Sequence, residues 1–356
     1  MNNNFSKDFL KDMSEYTRSL EPSLSPLICH RCRSIDLKQS ISIPSLRDGM
    51  KHCDMCKLMH DCLKRHSVDM ATDIIPLRIP SILSIRAPPD TDTPTKDVQI
   101  GFPKVPNVGD PLYFGLLREW LRVCDEDRKH WMCRPFNKTP PLLPTRVLVL
   151  EDNDDVECNQ LRLVDTRGER GDYVALSYCW GKLTDDERER WTTTRKTYDA
   201  RQKGIPVDSL PWTYRDAIKV TRELGKRYLW IDALCIIQGK DGDWLSESKN
   251  MQAVFRNAYC TIAASSASTS NQGFLKPHGK PTSPLISVRS VAHGLIYVSE
   301  SIDDFDQDVN KSPLNTRAWV FQERALARRT IHFSASQMYW ECGAGVHCES
   351  LSTMEK

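Results

Sequence analysis

The chain has 356 residues, 40% hydrophobic and 27% charged, proportions ordinary for a globular protein and enough for about two domains. Its 49 basic and 47 acidic residues leave a formal net charge of +2, so no global field draws it to nucleic acid or to an anionic membrane. No run approaches the ~18 consecutive apolar residues of a membrane-spanning helix, and the opening MNNNFSKDFLKDMSEYTRSL lacks the apolar core of a signal peptide. The chain therefore reads as cytoplasmic, and most of its 13 cysteines read as buried free thiols of a reducing compartment.

Phe5, Phe9, Met13, Tyr16 and Leu20 recur at helical spacing, which predicts an amphipathic helix docked on the protein's own core. Next come Cys29, Cys32, Cys53 and Cys56, two C-x2-C pairs separated by residues 33–52, the spacing of a four-thiolate zinc site. Each pair can clip one face of a tetrahedral ion, and a structural zinc contributes on the order of 10 kcal/mol to folding a small segment. The segment KHCDMCKLMHDCLKRH also has helical periodicity, so the same thiols can equally be core residues on helices. His52, His60 and Cys62 are spare ligands nearby. Residues 86–110, rich in Pro, Asp and Thr, read as a long loop. A helix follows in YFGLLREWLRVC, and Cys124, His130 and Cys133 close it with three more potential ligands or with plain packing.

From Pro144 the texture changes to strands, TRVLVL, NQLRLVDT and YVALSYCWG, separated by the turn clusters EDNDD and RGERGD. This divides the chain into a mostly helical, Cys/His-rich region, 1–140, and a second domain, 141–356. The order then becomes helix (SLPWTYRDAIKVTRELG), strand (YLWIDALCII), helix (DWLSESKNMQAVFRNA) and strand (YCTIAAS). Such alternation implies parallel pairing through right-handed crossovers, an α/β core. In the first of these helices Ser209 is the expected N-cap, Pro211 lies in the first turn and Gly225 marks the end. Residues 265–285 read as a mobile loop, followed by a short helix in WVFQERALA and strands in RTIHFSA and QMYWEC.

One residue breaks the apolar rhythm. At 100° per residue, Trp244, Met251, Val254 and Ala258 fall within about 60° of Glu247, which places a carboxylate on the stripe expected to be buried. Bare burial costs several kcal/mol, so the group must be paired, protonated or at work in a cleft. Arg317 and Arg256 are candidate partners. Ligands of open α/β sheets bind beyond the carboxyl ends of the strands, where the loop after YVALS carries Ser177, Tyr178, Trp180 and Gly181 and the next strand delivers Asp232 and Gln238. Trp180 can stack on a flat ring, or it can simply fill the core. Arg317, Gln322 and Glu323 can form a capping network. G-x-G-x-x-G, G-x-x-x-x-G-K-[ST], G-x-S-x-G and H-E-x-x-H do not occur, which argues against a dinucleotide dehydrogenase, a P-loop NTPase, a serine hydrolase and a zincin.

Three blocks remain: YVALSYCWG at 173–181, LWIDALCIIQGKDGDWLSESKNMQAVFRNAYCTIAAS at 229–265, and RAWVFQERALARRTIHF at 317–333. Together they resemble the HET (heterokaryon incompatibility) domain of filamentous fungi, and the upstream Cys pairs, the Cys124 to Cys133 segment and LPTRVLVL resemble the region that often precedes it. The resemblance implies a role in fungal non-self recognition, with the domain triggering programmed cell death and its partners being further copies of itself, as a homo-oligomer, or other incompatibility proteins. The family is also similar to Toll/interleukin receptor (TIR) domains, which implies a parallel-sheet, TIR-like (flavodoxin-like) core with added β-strands. Some TIR domains hydrolyse NAD with a glutamate near a tryptophan on a core helix. Glu247, three residues after Trp244, resembles that arrangement. It implies Glu247 as catalytic carboxylate, NAD as substrate, and Ser177, Tyr178, Trp180, Gly181, Asp232, Gln238, Trp244 and Arg317 as substrate-binding residues. A non-catalytic, self-assembling interaction module is the alternative from a different class.

Overall fold

The computed structural model describes residues 5–20, 27–33, 40–65, 74–76, 83–87, 99–102, 105–134, 139–150, 160–166, 168–277, 285–290, 294–351 and 353–354. The EDNDD turn, most of the 86–110 loop and residues 278–284 of the Ser/Gly/Pro-rich loop lie outside these. The chain divides into two compact units, the first made of 1–119, 278–303 and 348–353, the second of 120–277, 304–347 and 354–356.

The first unit mixes helix with sheet. The helix Lys7–Leu20 buries Phe9 and Met13, and Phe9 and Tyr16 meet Phe102 edge-to-face at 6.4 and 6.0 Å, so the amphipathic stripe does dock on the chain's own core. The helix Asp54–Arg65 buries Met55, Cys56, Leu58, Met59, Cys62 and Leu63. These pack with Ile85, Ile286, Val288, Ile296 and Val298, which belong to a four-stranded sheet formed by Ile286–Ser290, Gly294–Glu300, Leu83–Ala87 and Gln99–Ile100. In the sequence, 1–140 reads as mostly helix with 86–110 as loop, so no strand of this sheet is expected there: Leu83–Ala87 and Gln99–Ile100 are short, and the hairpin they join comes from residues 286–300.

The second unit is built on a mixed sheet whose neighbours run Gly345–Cys348, Met338–Cys342, Arg329–Phe333, Cys260–Ala263, Tyr173–Ser177, Tyr228–Trp230, Arg146–Leu150, Gln160–Asp165 and Ile205–Pro206. Four adjacent strands are parallel: Tyr228–Trp230 with Tyr173–Ser177, Tyr173–Ser177 with Cys260–Ala263, and Cys260–Ala263 with Arg329–Phe333. In chain order they lie second, first, third, fourth. The flanking pairs are antiparallel, so the sheet is mixed rather than parallel throughout. Tyr173–Ser177, Cys260–Ala263 and Arg329–Phe333 are buried along their whole length, as strands covered on both faces are; this explains the apolar run of YVAL, while Arg329, Thr330 and His332 are buried polar residues. Gln160–Asp165, nearer the edge, alternates exposed and buried over its first four residues.

Two local expectations change. The helix Trp212–Glu223 is preceded by Pro211 at the N-cap with no side-chain cap, and Ser209 sits in the preceding turn, its hydroxyl donating to the Pro206 carbonyl at 2.7 Å. Its far end is as predicted, with Gly225 at φ +64°, a conformation that favours glycine. YLWIDALCII does not run as one strand. It leaves the sheet after Trp230, makes a helical turn over Asp232–Cys235, and pairs Ile237–Gln238 with Thr193–Thr194. Asp232 causes the break: its carboxylate accepts from the Ala233 N–H at 2.7 Å and turns the backbone out of the ladder.

Candidate functional site

The first and second parallel strands cross over through the helix Trp212–Glu223, and the switch in strand order opens beside the carboxyl end of Tyr173–Ser177, the place where such sheets hold ligands. A cavity of about 540 Å³ lies there, lined among others by Cys179, Trp180, Gly181, Asp232, Gln238, Trp244, Met251, Arg317 and Trp319. That is the size of a small-molecule pocket. Trp244 and Trp319 are 44% and 47% exposed, so both rings are open to a ligand.

Asp232 organises the wall. Its carboxylate accepts from Trp180 Nε1 at 2.8 Å and from the Tyr178 hydroxyl at 2.9 Å, and Tyr178 meets the Tyr214 hydroxyl at 2.7 Å. Burial raises the Asp232 pKa, while hydrogen bonds from Trp180 and Tyr178 and the Arg317 charge pull it back. Burial, the Asp232 charge and Tyr214 together push the Tyr178 phenol well above its usual value. The Arg317 guanidinium donates to the Tyr178 carbonyl and lies 3.9 Å from Glu323. Glu323 itself is buried and receives the Ser177 hydroxyl, and burial raises its pKa. Gly181 has φ +72°, and a Cβ there would stand 2.8 Å from Thr269 Cβ, so the loop can follow this path only with glycine.

Of the residues singled out from the sequence, Trp180, Gly181, Asp232, Gln238, Trp244 and Arg317 meet at this one cavity. Ser177 and Tyr178 are buried behind it. Glu247 departs from expectation. It is only partly buried, accepts from the Thr145 hydroxyl at 3.0 Å, and is not among the lining residues, although Trp244 and Met251 on either side of it are. The helix Trp244–Asn257 meets the core only at its carboxyl end, through Val254 and Phe255, so the stripe near Glu247 borders the cavity mouth instead of the core. Neither expected arginine pairs with it: Arg317 is engaged by Glu323. Glu323 is readable as part of a capping network, and only the tertiary structure shows it beside Arg317 and Ser177, and Tyr214 behind Tyr178.

In the first unit Cys29, Cys32, Cys53 and Cys56 converge with their sulfurs all within 4.8 Å of one another. Cys32 and Cys56 are 3.5 Å apart and Cys29 and Cys56 are 4.0 Å apart, close to the ~3.8 Å between thiolates held tetrahedrally at ~2.3 Å from zinc. The Cys29 and Cys56 backbone N–H groups donate to Cys53 Sγ at 3.4 and 3.5 Å, as outer-shell donors to a thiolate do. Burial works against ionisation of Cys29, yet hydrogen bonds from the Cys32 backbone and from the Cys32, Cys53 and Cys56 thiols bring its pKa down to about 7. A Cβ at Gly49 would stand 2.6 Å from Cys56 Sγ, so the neighbouring backbone is packed on the sulfur. This cluster can hold a metal ion. Of the spare ligands, Cys62 lies in the hydrophobic core, its thiol pushed up to about 11 mainly by burial, and His60 turns to Asp61 at 3.4 Å.

Residues 173–323 match the family model described as Heterokaryon incompatibility protein (HET). They form a HET domain. The cavity's lining residues all fall inside the matched span, whereas the Cys29 to Cys56 cluster lies outside the HET domain. The match connects the chain to heterokaryon incompatibility. Compared with curated proteins and with solved structures, the chain has no match. No described helix is long and apolar enough to cross a membrane.

Proposed function

We propose that this HET-domain protein acts in fungal non-self recognition as a cell-death effector, and that its cavity receives a nucleotide, with NAD as the candidate. The observation that carries the reading is the composition and place of the cavity. Three tryptophan rings, a carboxylate and an arginine converge at the carboxyl ends of parallel strands, which suits a ligand with a flat base, a ribose and a phosphate. The TIR-like, flavodoxin-like reading of the core rests on the second, first, third, fourth strand order. Cleavage of the nicotinamide–ribose bond passes through an oxocarbenium-like state that a nearby carboxylate stabilises. Asp232 lines the cavity and Glu247 flanks it at the Trp244 rim, so Glu247 is the proposed catalytic carboxylate and Asp232 the organiser of the ring-binding wall. The Cys29 to Cys56 cluster holds a structural zinc in this reading, and the protein works in the cytoplasm.

The test is NAD loss catalysed by the purified chain over a range of protein concentrations, wild type beside Glu247→Ala, with thermal melts of both in the presence and absence of NAD. Turnover lost in Glu247→Ala at an unchanged melt supports catalysis. A melt raised by NAD without turnover keeps the nucleotide site and discards the reaction. The absence of both turnover and a melt shift refutes the nucleotide.

A second reading has one observation in its favour. The helices Trp244–Asn257 and Val320–Leu326 pack together, and each leaves a large apolar side chain in solvent, Leu245 at 77% and Phe321 at 79%. Self-association through this face would make the domain an assembly module. Light scattering of wild type against Phe321→Ser decides it: an oligomer dispersed by the substitution supports the module, and a wild-type monomer at all concentrations refutes it.

A further inference from the structure

Cys124 near the end of the helix Pro111–Glu126, His130 and Cys133 in the turn Arg128–Cys133, and Cys342 at the end of the strand Met338–Cys342 come together in the second unit. All are buried, and their ligand atoms lie within 4.8 Å of one another. His130 Nδ1 stands 3.5 Å from Cys342 Sγ and 3.8 Å from Cys133 Sγ. Around a tetrahedral zinc with bonds of ~2.3 Å to sulfur and ~2.05 Å to nitrogen, such pairs lie ~3.6 Å apart. We propose that these four side chains hold a structural zinc ion, a Cys3His site separate from the four-cysteine cluster of the first unit.

Three features distinguish the arrangement from ordinary packing of thiols. The Ala344 backbone N–H donates to Cys342 Sγ at 3.4 Å, the outer-shell bond that stabilises a metal-bound thiolate. The turn carrying it is fitted to the cluster: a Cβ on Gly343 would stand 3.0 Å from Met132 Cβ and 3.5 Å from Cys133 Sγ. Finally, three thiolates and a neutral imidazole leave zinc with one net negative charge, and a buried cation is at hand to balance it. Arg329, 2% exposed, donates through Nη2 to the Cys133 carbonyl at 3.3 Å and to Asp125. Its Nε and Nη1 have no hydrogen-bond partner among the described residues. Asp125 balances one edge of this guanidinium and the Tyr259 ring lies 4.9 Å from its carbon; a thiolate-bound zinc adds a second, fully buried negative charge beside it that neutral thiols do not.

With four protein ligands the coordination is closed, so the ion is structural and takes no part in turnover. It fastens the strand Met338–Cys342 to the turn Arg128–Cys133, two segments widely separated in sequence.

The test uses the full chain, expressed with zinc, dialysed against a weak chelator, and assayed for zinc by mass spectrometry. Cys342→Ser is expected to lose one zinc equivalent relative to wild type, and Cys56→Ser reports on the other cluster independently. Cobalt(II) reconstitution supplies a readout that packing alone would not move. Cys342→His, which keeps a ligand, is expected to retain the metal and shift the cobalt d–d bands. Wild-type protein free of zinc overturns the proposal. So does a Cys342→Ser chain as rich in zinc as wild type, or a Cys342→His cobalt spectrum identical to that of wild type.

Discussion

Glu341 carries the most quantitative prediction about how the second unit is held together. Its carboxylate accepts from Arg324 Nε at 2.7 Å and Nη2 at 3.1 Å and meets His332 Nε2 at 3.0 Å. Burial opposes its ionisation, but His332 and Arg324 outweigh burial and bring the pKa from an ordinary 4.5 to about 2. At about 1.36 kcal/mol per pKa unit, that difference is worth about 3 kcal/mol of folding stability, and the side chain is only 17% exposed, so solvent screening removes little of it. The sign follows from the lowered value: the contribution is fully present above pH ~4.5 and is lost as pH falls towards ~2. Glu341→Gln keeps the shape and removes the charge. In urea titrations followed by tryptophan fluorescence the variant is expected to be about 3 kcal/mol less stable than wild type at pH 7, with the gap shrinking steadily between pH 5 and pH 3. A gap of the same size at both ends of that range, or one under about 1 kcal/mol at pH 7, refutes the reasoning.

Gly181→Ala combines a left-handed backbone with a Cβ 2.8 Å from Thr269, and is expected to lower unfolding free energy by about 1 to 3 kcal/mol in the same titration. Glu247→Ala removes a partly exposed carboxylate that accepts a solvent-accessible hydrogen bond from the Thr145 hydroxyl; its stability in urea is expected to change by less than about 1 kcal/mol. Trp319→Ala, which truncates a half-exposed ring at the cavity, is expected to leave the melt unchanged and weaken NAD binding in calorimetry by at least about fivefold, as loss of a stacking partner does.

Much of the core is written locally. YVALS and CTIA are mostly apolar because both faces of their strands are covered, whereas RTIHF buries Arg329, Thr330 and His332 as well; the alternation with helices told of parallel pairing. The same logic misread YLWIDALCII, where a single carboxylate that finds Ala233 N–H, Trp180 and Tyr178 outcompetes the β-propensity of the residues around it. The candidate site was legible in its parts, since Trp180, Asp232, Gln238, Trp244 and Arg317 all lie in recognisable blocks. Glu247 shows the limit of periodicity: the helical wheel gives the face a residue occupies but not whether that face meets the core or the mouth of a cavity. Cys342 belongs to a strand reading QMYWEC, and nothing in its neighbourhood announces that it faces His130. Contacts set by topology rather than by local pattern leave no trace in a short window of sequence.

The strand Leu83–Ala87 pairs with Gly294–Glu300, and between them the chain must build the first three of the four parallel strands. On a ribosome adding about 5 to 20 residues per second, Leu83–Ala87 waits roughly 10 to 40 s for its partner. During that interval its hydrogen-bonding edge is open, a template for wrong pairing, and the first unit cannot close. Biogenesis of this protein thus has a built-in delay, during which that edge stays open until the hairpin returns. No single cut in the chain can release either unit whole, so domain dissection has to rely on excision and re-linking rather than truncation.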